Sequence, residues 1–286
     1  MKSLYHLSPP RLALVRPLAS SFAAALSEKP PVTPIDVALA RRQHAAYADA
    51  LRQCVGELIE VEAAEDCPDS CFIEDTLVAV GTKAVLTRPG ALSRRRETDG
   101  VEKAVRALIA RGEPLELRRL EGDALLDGGD VLQLGGTLFV GLSRRTNAAA
   151  VQQLTTLVDC PVVAVEVEGG LHLKSVLSAI DDETLVVADV EPARAMAAGI
   201  AAALNGRLRM ILVPDVVAAN VLRLGSRLLI QSGFGRSQQV LEQACQERGL
   251  TPLPLTMSEF IKADGALTCC SIILPFVPAG PELSRR

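Results

Sequence analysis

A chain of 286 residues that is 49% hydrophobic and 22% charged can bury a substantial core, and its formal net charge of −4 offers no electrostatic reason to bind nucleic acid. No uninterrupted apolar run approaches the roughly 18 residues of a membrane span. Residues 18–26 come nearest to a signal-peptide core, but Arg16 and Pro17 precede them and residues 12–15 read as a strand, so the expected location is cytoplasmic.

Taken in chain order, the sequence repeats one unit five times: a pair of short strands, an amphipathic helix and another strand. The strand-pair segments are residues 11–17, 74–87, 130–142, 174–187 and 219–231, with turn residues such as Gly81, Gly135-Gly136, Asp181-Asp182 and Gly225 inside the last four. Helix-period stretches follow at 35–54, 98–111, 147–158, 192–204 and 237–248, where apolar residues return every three or four positions. Strands at 58–63, 115–120, 162–167, 208–213 and 253–256 complete the units. The period is about 50 residues, the signature of a stacked or closed array. Leu92-Ser93-Arg94-Arg95 and Leu142-Ser143-Arg144-Arg145 repeat directly at that spacing.

The first unit is one strand short, and an apolar run at 267–276 is left over at the other end. Pairing the two would close the array into a ring and remove its exposed edges. The expected fold is therefore one α/β propeller domain over residues 1–286, a pseudo-five-fold ring of ββαβ modules closed by the C-terminal strand.

Seven cysteines, an odd number without framework spacing, read as free thiols. Cys67 and Cys71 have no second cysteine pair at a zinc-site spacing, and the only histidines are His6, His44 and His172, so no metal is expected. Charged and polar residues cluster at the entries to successive units. Asp69, Glu74 and Asp75 precede the second hairpin, Asp127 and Asp130 the third, His172 and Lys174 the fourth, and Cys269 and Cys270 lie on the closing strand. A ring would gather acids, an imidazole and a thiol at one end of its axis. Such a thiol is a nucleophile and the imidazole a proton donor and acceptor, while paired carboxylates suit a planar guanidinium. Arginines from the two Ser-Arg-Arg segments could hold a carboxylate at the ligand's other end. An arginine-like amino acid fits both.

Six ordered segments carry a resemblance to the dimethylarginine dimethylaminohydrolases of the guanidine-modifying pentein superfamily: residues 72–76 (Phe-Ile-Glu-Asp-Thr), 87–95, 126–132 (Leu-Asp-Gly-Gly-Asp-Val-Leu), 139–147, 170–175 (Gly-Leu-His-Leu-Lys-Ser) and 264–271 (Asp-Gly-Ala-Leu-Thr-Cys-Cys-Ser). The resemblance implies a five-bladed propeller that hydrolyses Nω-methylated arginine to citrulline and a methylamine through a covalent cysteine thiouronium, without a cofactor. It assigns Cys269 as nucleophile, His172 as acid/base and Asp127 as the carboxylate orienting it. Glu74 and Asp75, with Asp69 nearby, would receive the guanidinium, and Arg94 and Arg145 the α-carboxylate. The backbones of Leu26 and Ala263 would receive the α-amino group. The internal repeat instead aligns Arg94 with Arg144. An acid-rich pocket should also raise the pKa of Cys269. The implied partner is a small molecule, with no nucleic acid and no membrane, acting on a monomer or a homodimer. The alternatives are an arginine deiminase with an equivalent catalytic set and a non-enzymatic relative of the ribosome anti-association type, which would lack the nucleophile.

Overall fold

The computed structural model describes residues 9–168 and 170–274. Fifteen strands form five three-stranded sheets, and every sheet has the same design. The blades are β3 (Leu77–Val80), β4 (Lys83–Leu86), β5 (Glu116–Arg119); β6 (Val131–Leu134), β7 (Thr137–Leu142), β8 (Val162–Glu166); β9 (Leu177–Asp181), β10 (Thr184–Ala188), β11 (Arg209–Val213); and β12 (Leu222–Leu224), β13 (Arg227–Gln231), β14 (Thr251–Leu255). The fifth blade joins the two ends of the described chain: β1 (Leu12–Val15) is flanked by β2 (Glu57–Glu60) and by β15 (Ile272–Leu274). In each blade the middle strand runs antiparallel to the inner strand and parallel to the outer one. The parallel step needs a crossover, which α1 (Val37–Arg52), α2 (Glu97–Ala110), α3 (Ala148–Leu157), α4 (Glu191–Ala203) and α5 (Gly235–Arg248) supply.

Local chemistry explains the elements. Middle strands such as Thr184–Ala188 are buried on both faces and read as nearly continuous apolar runs. The β6–β7 hairpin turns on Gly135-Gly136, both at positive φ (55° and 80°), where a side chain would be strained. Asp36 and Asn147 cap the first turns of α1 and α3 by accepting from Leu39 N and Ala150 N at 2.9 and 3.1 Å. Gly249, left-handed at φ 64°, ends α5.

Helices seal the seams between blades. Val101, Val105 and Leu108, one face of α2, belong to a core with Leu12 and Leu14 of β1, Ile73, Leu77 and Leu86, and Ile272 and Leu274 of β15. That core binds the closing junction to the second unit. The antiparallel β1–β15 register, Leu12 opposite Leu274 through Leu14 opposite Ile272, is the ring closure expected from the leftover run.

Two expectations need correction. The hairpins begin later than their apolar patterns suggest, because each inner strand is preceded by a short 3-10 turn: Ile73–Thr76, Gly128–Asp130, Leu173–Ser175, Val216–Ala219 and Thr268–Cys270. Cys269 and Cys270 thus lie in such a turn and not on a strand, so helical rotation, not pleat alternation, sends them to different surroundings. Pro275 and Phe276, the end of the expected closing strand, lie outside the described residues. A one-turn helix, α6 (Ser258–Ile261), was not anticipated.

Candidate active site

The five 3-10 turns meet at one end of the ring axis. A small pocket there is lined by Leu26, Asp69, Asp75, Arg94, Arg145, His172, Ala263 and Cys269, together with Phe72, Leu171, Asp264 and Gly265. Eight of the ten expected site residues therefore share one cavity. Asp127 stands directly behind it, with Oδ2 3.1 Å from His172 Nε2. Glu74 faces elsewhere.

The acid/base pair is held from several sides. Gly90 N–H donates to Asp127 Oδ1 at 2.8 Å, leaving Oδ2 for the imidazole, and Arg145 Nη1 lies 3.6 Å from that same oxygen. Asp130 accepts from Ser143 Oγ and Thr146 Oγ1 at 2.6 Å each and from Leu173 N–H at 2.9 Å, tying the His172 turn to the third blade. Asp-Gly-Gly-Asp is more than a convenient turn: a Cβ on Gly128 would come within 2.1 Å of the Glu74 carbonyl oxygen, and one on Gly129 within 2.6 Å of His172 Nδ1. Backbone and imidazole meet there only because neither residue has a side chain.

Asp75 is the electrostatic hub. Its Oδ2 accepts from Arg94 Nη1 at 2.5 Å and its Oδ1 from Gly129 N–H at 2.8 Å. Burial alone would raise its pKa, yet His172 and Arg94, the Arg94 hydrogen bond and the Gly129 N–H overcome burial and hold the carboxyl at about 2. The reciprocal effect acts on His172. Burial opposes its charge, but Asp75, the Asp127 hydrogen bond and Asp130 push the imidazole up to about 9, so it carries two protons at neutral pH. Cys269 responds oppositely: burial, then the charges of Glu74 and Asp75, push its thiol up to about 12, as expected for an acid-rich pocket. Burial also raises Asp69, whose Oδ1 accepts from Leu26 N–H at 2.9 Å and so draws the segment carrying Leu26 over the pocket.

Arg94 and Arg145 occupy unlike positions. Arg94 is buried and donates to Asp75, to both Glu97 oxygens and to the Phe72 carbonyl; burial resists its charge, but Glu97 and Asp75 raise its pKa further. It is largely committed to the protein itself. Arg145 is half-buried at the pocket wall, whereas Arg144 is exposed and pairs with Glu28 at 2.8 Å. Arg145, the position the six segments indicate, thus lines the pocket, whereas Arg144, the position the 50-residue internal repeat indicates, does not. The reason is local: Leu92–Arg94 forms a 3-10 turn, while β7 stays extended through Leu142 and Arg145 N–H then donates to Ser143 Oγ at 3.0 Å.

Glu74 is the clear correction. Its carboxylate pairs with Lys174 Nζ at 2.5 Å and accepts from Thr268 Oγ1 at 2.9 Å. All three line a second cavity, of about 160 Å³, ringed by the five inner strands on the far side of the turns. Adjacent residues of a 3-10 turn point about 120° apart, so Asp75 and Glu74 cannot both face the same pocket. Glu74 reaches Cys269 by its charge and not by sharing its cavity.

Sequence reasoning overlooked the clamps around the nucleophile. The buried Tyr47 hydroxyl donates to the Leu267 carbonyl and lies 2.7 Å from Ser271 Oγ, bracketing the Thr268–Cys270 turn from α1. Asn220 grips the same turn from the fifth unit. Its signal in the sequence was its place at a unit entry, directly after the turn Val216–Ala219. The ligand atoms of Asp75, Asp127 and His172 lie within 4.8 Å of one another and could in principle hold a cation. A doubly protonated His172 works against that, since a metal needs its lone pair.

With this geometry in view, the chain compares closely with known proteins. The arginine deiminase family matches residues 60–198. An N(G),N(G)-dimethylarginine dimethylaminohydrolase of Streptomyces coelicolor is 37% identical over 93% of this chain and 98% of its own length. The enzyme of that name from Pseudomonas aeruginosa is 28% identical over 83% of this chain and 89% of its own. A solved structure of the Pseudomonas protein, a cysteine-to-serine mutant complexed with citrulline, superposes with a TM-score of 0.81 at 27% identity, covering 94% of this chain and all of that one.

Proposed function

Because the chain belongs to the dimethylarginine dimethylaminohydrolase family, we propose that it hydrolyses Nω-methylated L-arginine, asymmetric dimethylarginine or monomethylarginine, to L-citrulline and dimethylamine or methylamine. The observation that carries this reading is the convergence, in one pocket, of a partly buried thiol, an imidazole backed by a carboxylate, and a buried acid. A pocket that suppresses its own thiolate is waiting for a cation. Burial and then the acid charges hold Cys269 near 12; a guanidinium seated against Asp75 offsets the second of these, and the thiol ionises by losing its proton to solvent.

The reaction follows from the placement. The Cys269 thiolate attacks the guanidinium carbon, forming a C–S bond and a tetrahedral centre. His172 gives its proton to the methylated nitrogen, the C–N bond breaks, and a neutral amine leaves a cationic thiouronium on Cys269. The imidazole, now neutral but held by Asp127, takes a proton from water as that water attacks the same carbon. The C–S bond then breaks as the new hydroxyl gives its proton to the departing sulfur, releasing neutral citrulline and regenerating the Cys269 thiol. Arg145 receives the α-carboxylate, and the backbones of Leu26 and Ala263 with Asp69 receive the α-amino group. Arg94 lines the pocket and acts chiefly by fixing Asp75. No cofactor is required by this sequence of steps. The described pocket encloses only about 20 Å³, so the segment carrying Leu26 must shift to admit an amino acid.

The match to the arginine deiminase family favours one second reading, release of ammonia from free arginine by the same groups. Citrulline formation from asymmetric dimethylarginine, monomethylarginine, arginine and agmatine, assayed in parallel, separates them. Citrulline from the methylated substrates alone is expected. Faster turnover of arginine would establish the deiminase, and no citrulline from any of the four would end the enzymatic reading.

A further inference from the structure

Behind the nucleophile, opposite the pocket, four side chains from four turns form a closed polar circuit. Asn220 Nδ2 donates to the Lys174 carbonyl at 2.9 Å and to Thr268 Oγ1 at 3.0 Å, and its Oδ1 accepts from Thr268 N–H at 3.0 Å. Thr268 Oγ1 passes its own proton to Glu74 Oε2 at 2.9 Å, and Glu74 Oε1 pairs with Lys174 Nζ, which returns to the residue where the circuit began. Both N–H bonds of the Asn220 amide and its carbonyl oxygen are used, at a residue that is 1% exposed. Its backbone is pinned as well: Ser178 Oγ on β9 donates to the Ala219 carbonyl and accepts from Val221 N–H at 3.0 Å.

The partners of Asn220 are not arbitrary. Thr268 immediately precedes the nucleophile, and Lys174 lies two residues beyond His172. We propose that Asn220 is a positioning residue of the reaction, a single amide that fixes the turn carrying Cys269 against the turn carrying His172. The inference rests on the catalytic roles of those two residues and adds a part that neither touches substrate nor exchanges protons. Asn is the side chain suited to the task, because joining the two turns requires donors toward the Lys174 carbonyl and the Thr268 hydroxyl and an acceptor toward the Thr268 N–H. Asp would set an anion against the Lys174 carbonyl and beside Glu74; Ala would leave the Lys174 carbonyl and the Thr268 N–H without their Asn220 bonds.

The test combines Asn220→Ala, Thr268→Val, Thr268→Ser and the Ala/Val double variant in the full chain. A misplacement of reacting groups costs on the order of 10²-fold in rate, so kcat on dimethylarginine should fall about that far in Asn220→Ala and about tenfold in Thr268→Val, with KM changed less than about threefold. Thr268→Ser, which keeps the hydroxyl, should restore kcat. The double variant should be little worse than Asn220→Ala alone, since both changes cut one circuit. A second readout needs no substrate. Iodoacetamide labelling of Cys269 at pH 8, read by peptide mass spectrometry, should slow about threefold or more in Thr268→Val, because Glu74 loses a hydroxyl donor and repels the thiolate more. Should Asn220→Ala not fold, Thr268→Val against Thr268→Ser decides. Unchanged kcat in Thr268→Val, a loss appearing wholly in KM, or fully additive losses would overturn the inference. Failure of the wild-type chain to process methylarginine would instead count against the proposed activity; labelling of Cys269 in Asn220→Ala would then judge the positioning role, an unchanged rate overturning it.

Discussion

The two faces of the layer formed by the 3-10 turns share those turns yet are chemical opposites. On one side Asp75, His172 and Cys269 face a pocket in which burial and the acids raise the pKa of the thiol. On the other, their neighbours Glu74, Lys174 and Thr268 face a cavity already neutralised by one ion pair and a ring of hydrogen bonds. One step along a turn separates reactive from structural roles. The lesson is that a shared turn can supply both a catalytic group and the support that holds it, so sequence adjacency is a poor guide to shared function here.

The sharpest way to break this division lies in the cysteine pair. Cys269→Ser should abolish turnover, and mass spectrometry of quenched enzyme should find a substrate adduct on Cys269 alone. Cys270 packs in an apolar core with Leu267, Met257 and Phe260, so Cys270→Ser should retain most activity while lowering the thermal midpoint. An adduct on Cys270 would dissolve the distinction.

Next in size is the acid/base. His172→Ala should cost on the order of 10²–10⁴ in rate, with the covalent adduct accumulating from substrates that carry good leaving groups. Asp127→Asn should act through the imidazole and change the pH profile more than binding. Because His172 is held near 9, the protonated donor is lost, and activity should fall, as pH rises through that value. The same shift stabilises the fold: its contribution is complete below the ordinary histidine value near 6.5 and disappears as pH rises through about 9. Thermal melts of wild type and His172→Gln across pH 6 to 10 should converge on the alkaline side. Parallel melting curves at every pH would contradict the pairing.

Glu74 and Asp75 offer the direct contrast between the two sides. Removing one buried charged partner typically costs about 2–5 kcal/mol, so Asp75→Asn should raise KM strongly and also release Arg94. Glu74→Gln should leave KM nearly unchanged and speed alkylation of Cys269, since the largest negative charge opposing the thiolate is gone. A large KM increase in Glu74→Gln would restore that residue to the guanidinium site.

The smallest expected effects concern the arginines. Arg145→Ala should weaken dimethylarginine far more than its decarboxylated analogue. Arg144→Ala removes only an exposed pair with Glu28, and exposed pairs contribute about 0–1 kcal/mol. A larger, carboxylate-selective loss in Arg144→Ala would show that the internal repeat had the correct register.

These contrasts mark the limit of what could be read from the chain alone. Strand and helix periods repeat over four to sixteen residues, long enough for patterns such as Val101, Val105 and Leu108 to declare a buried face. Ring closure followed from an unpaired strand at each end. A 3-10 turn of three or four residues has no period to detect, so the orientation of Glu74 against Asp75, and the placement of Cys269 off the strand, were invisible. Asn220 escaped for another reason. It is uncharged and sits after two alanines, and its importance comes from Thr268 and Lys174, 48 and 46 positions away.

The antiparallel seam between β1 and β15 carries a consequence for biosynthesis. Cys269 stands three residues before the strand that shuts the ring, so it is the last of the reactive groups to leave the ribosome. Chains interrupted between His172 and Cys269 possess the acids and the imidazole but lack the thiol that the proposed reaction uses. On the proposed mechanism, truncated translation products that end before Cys269 are therefore inactive toward methylarginine.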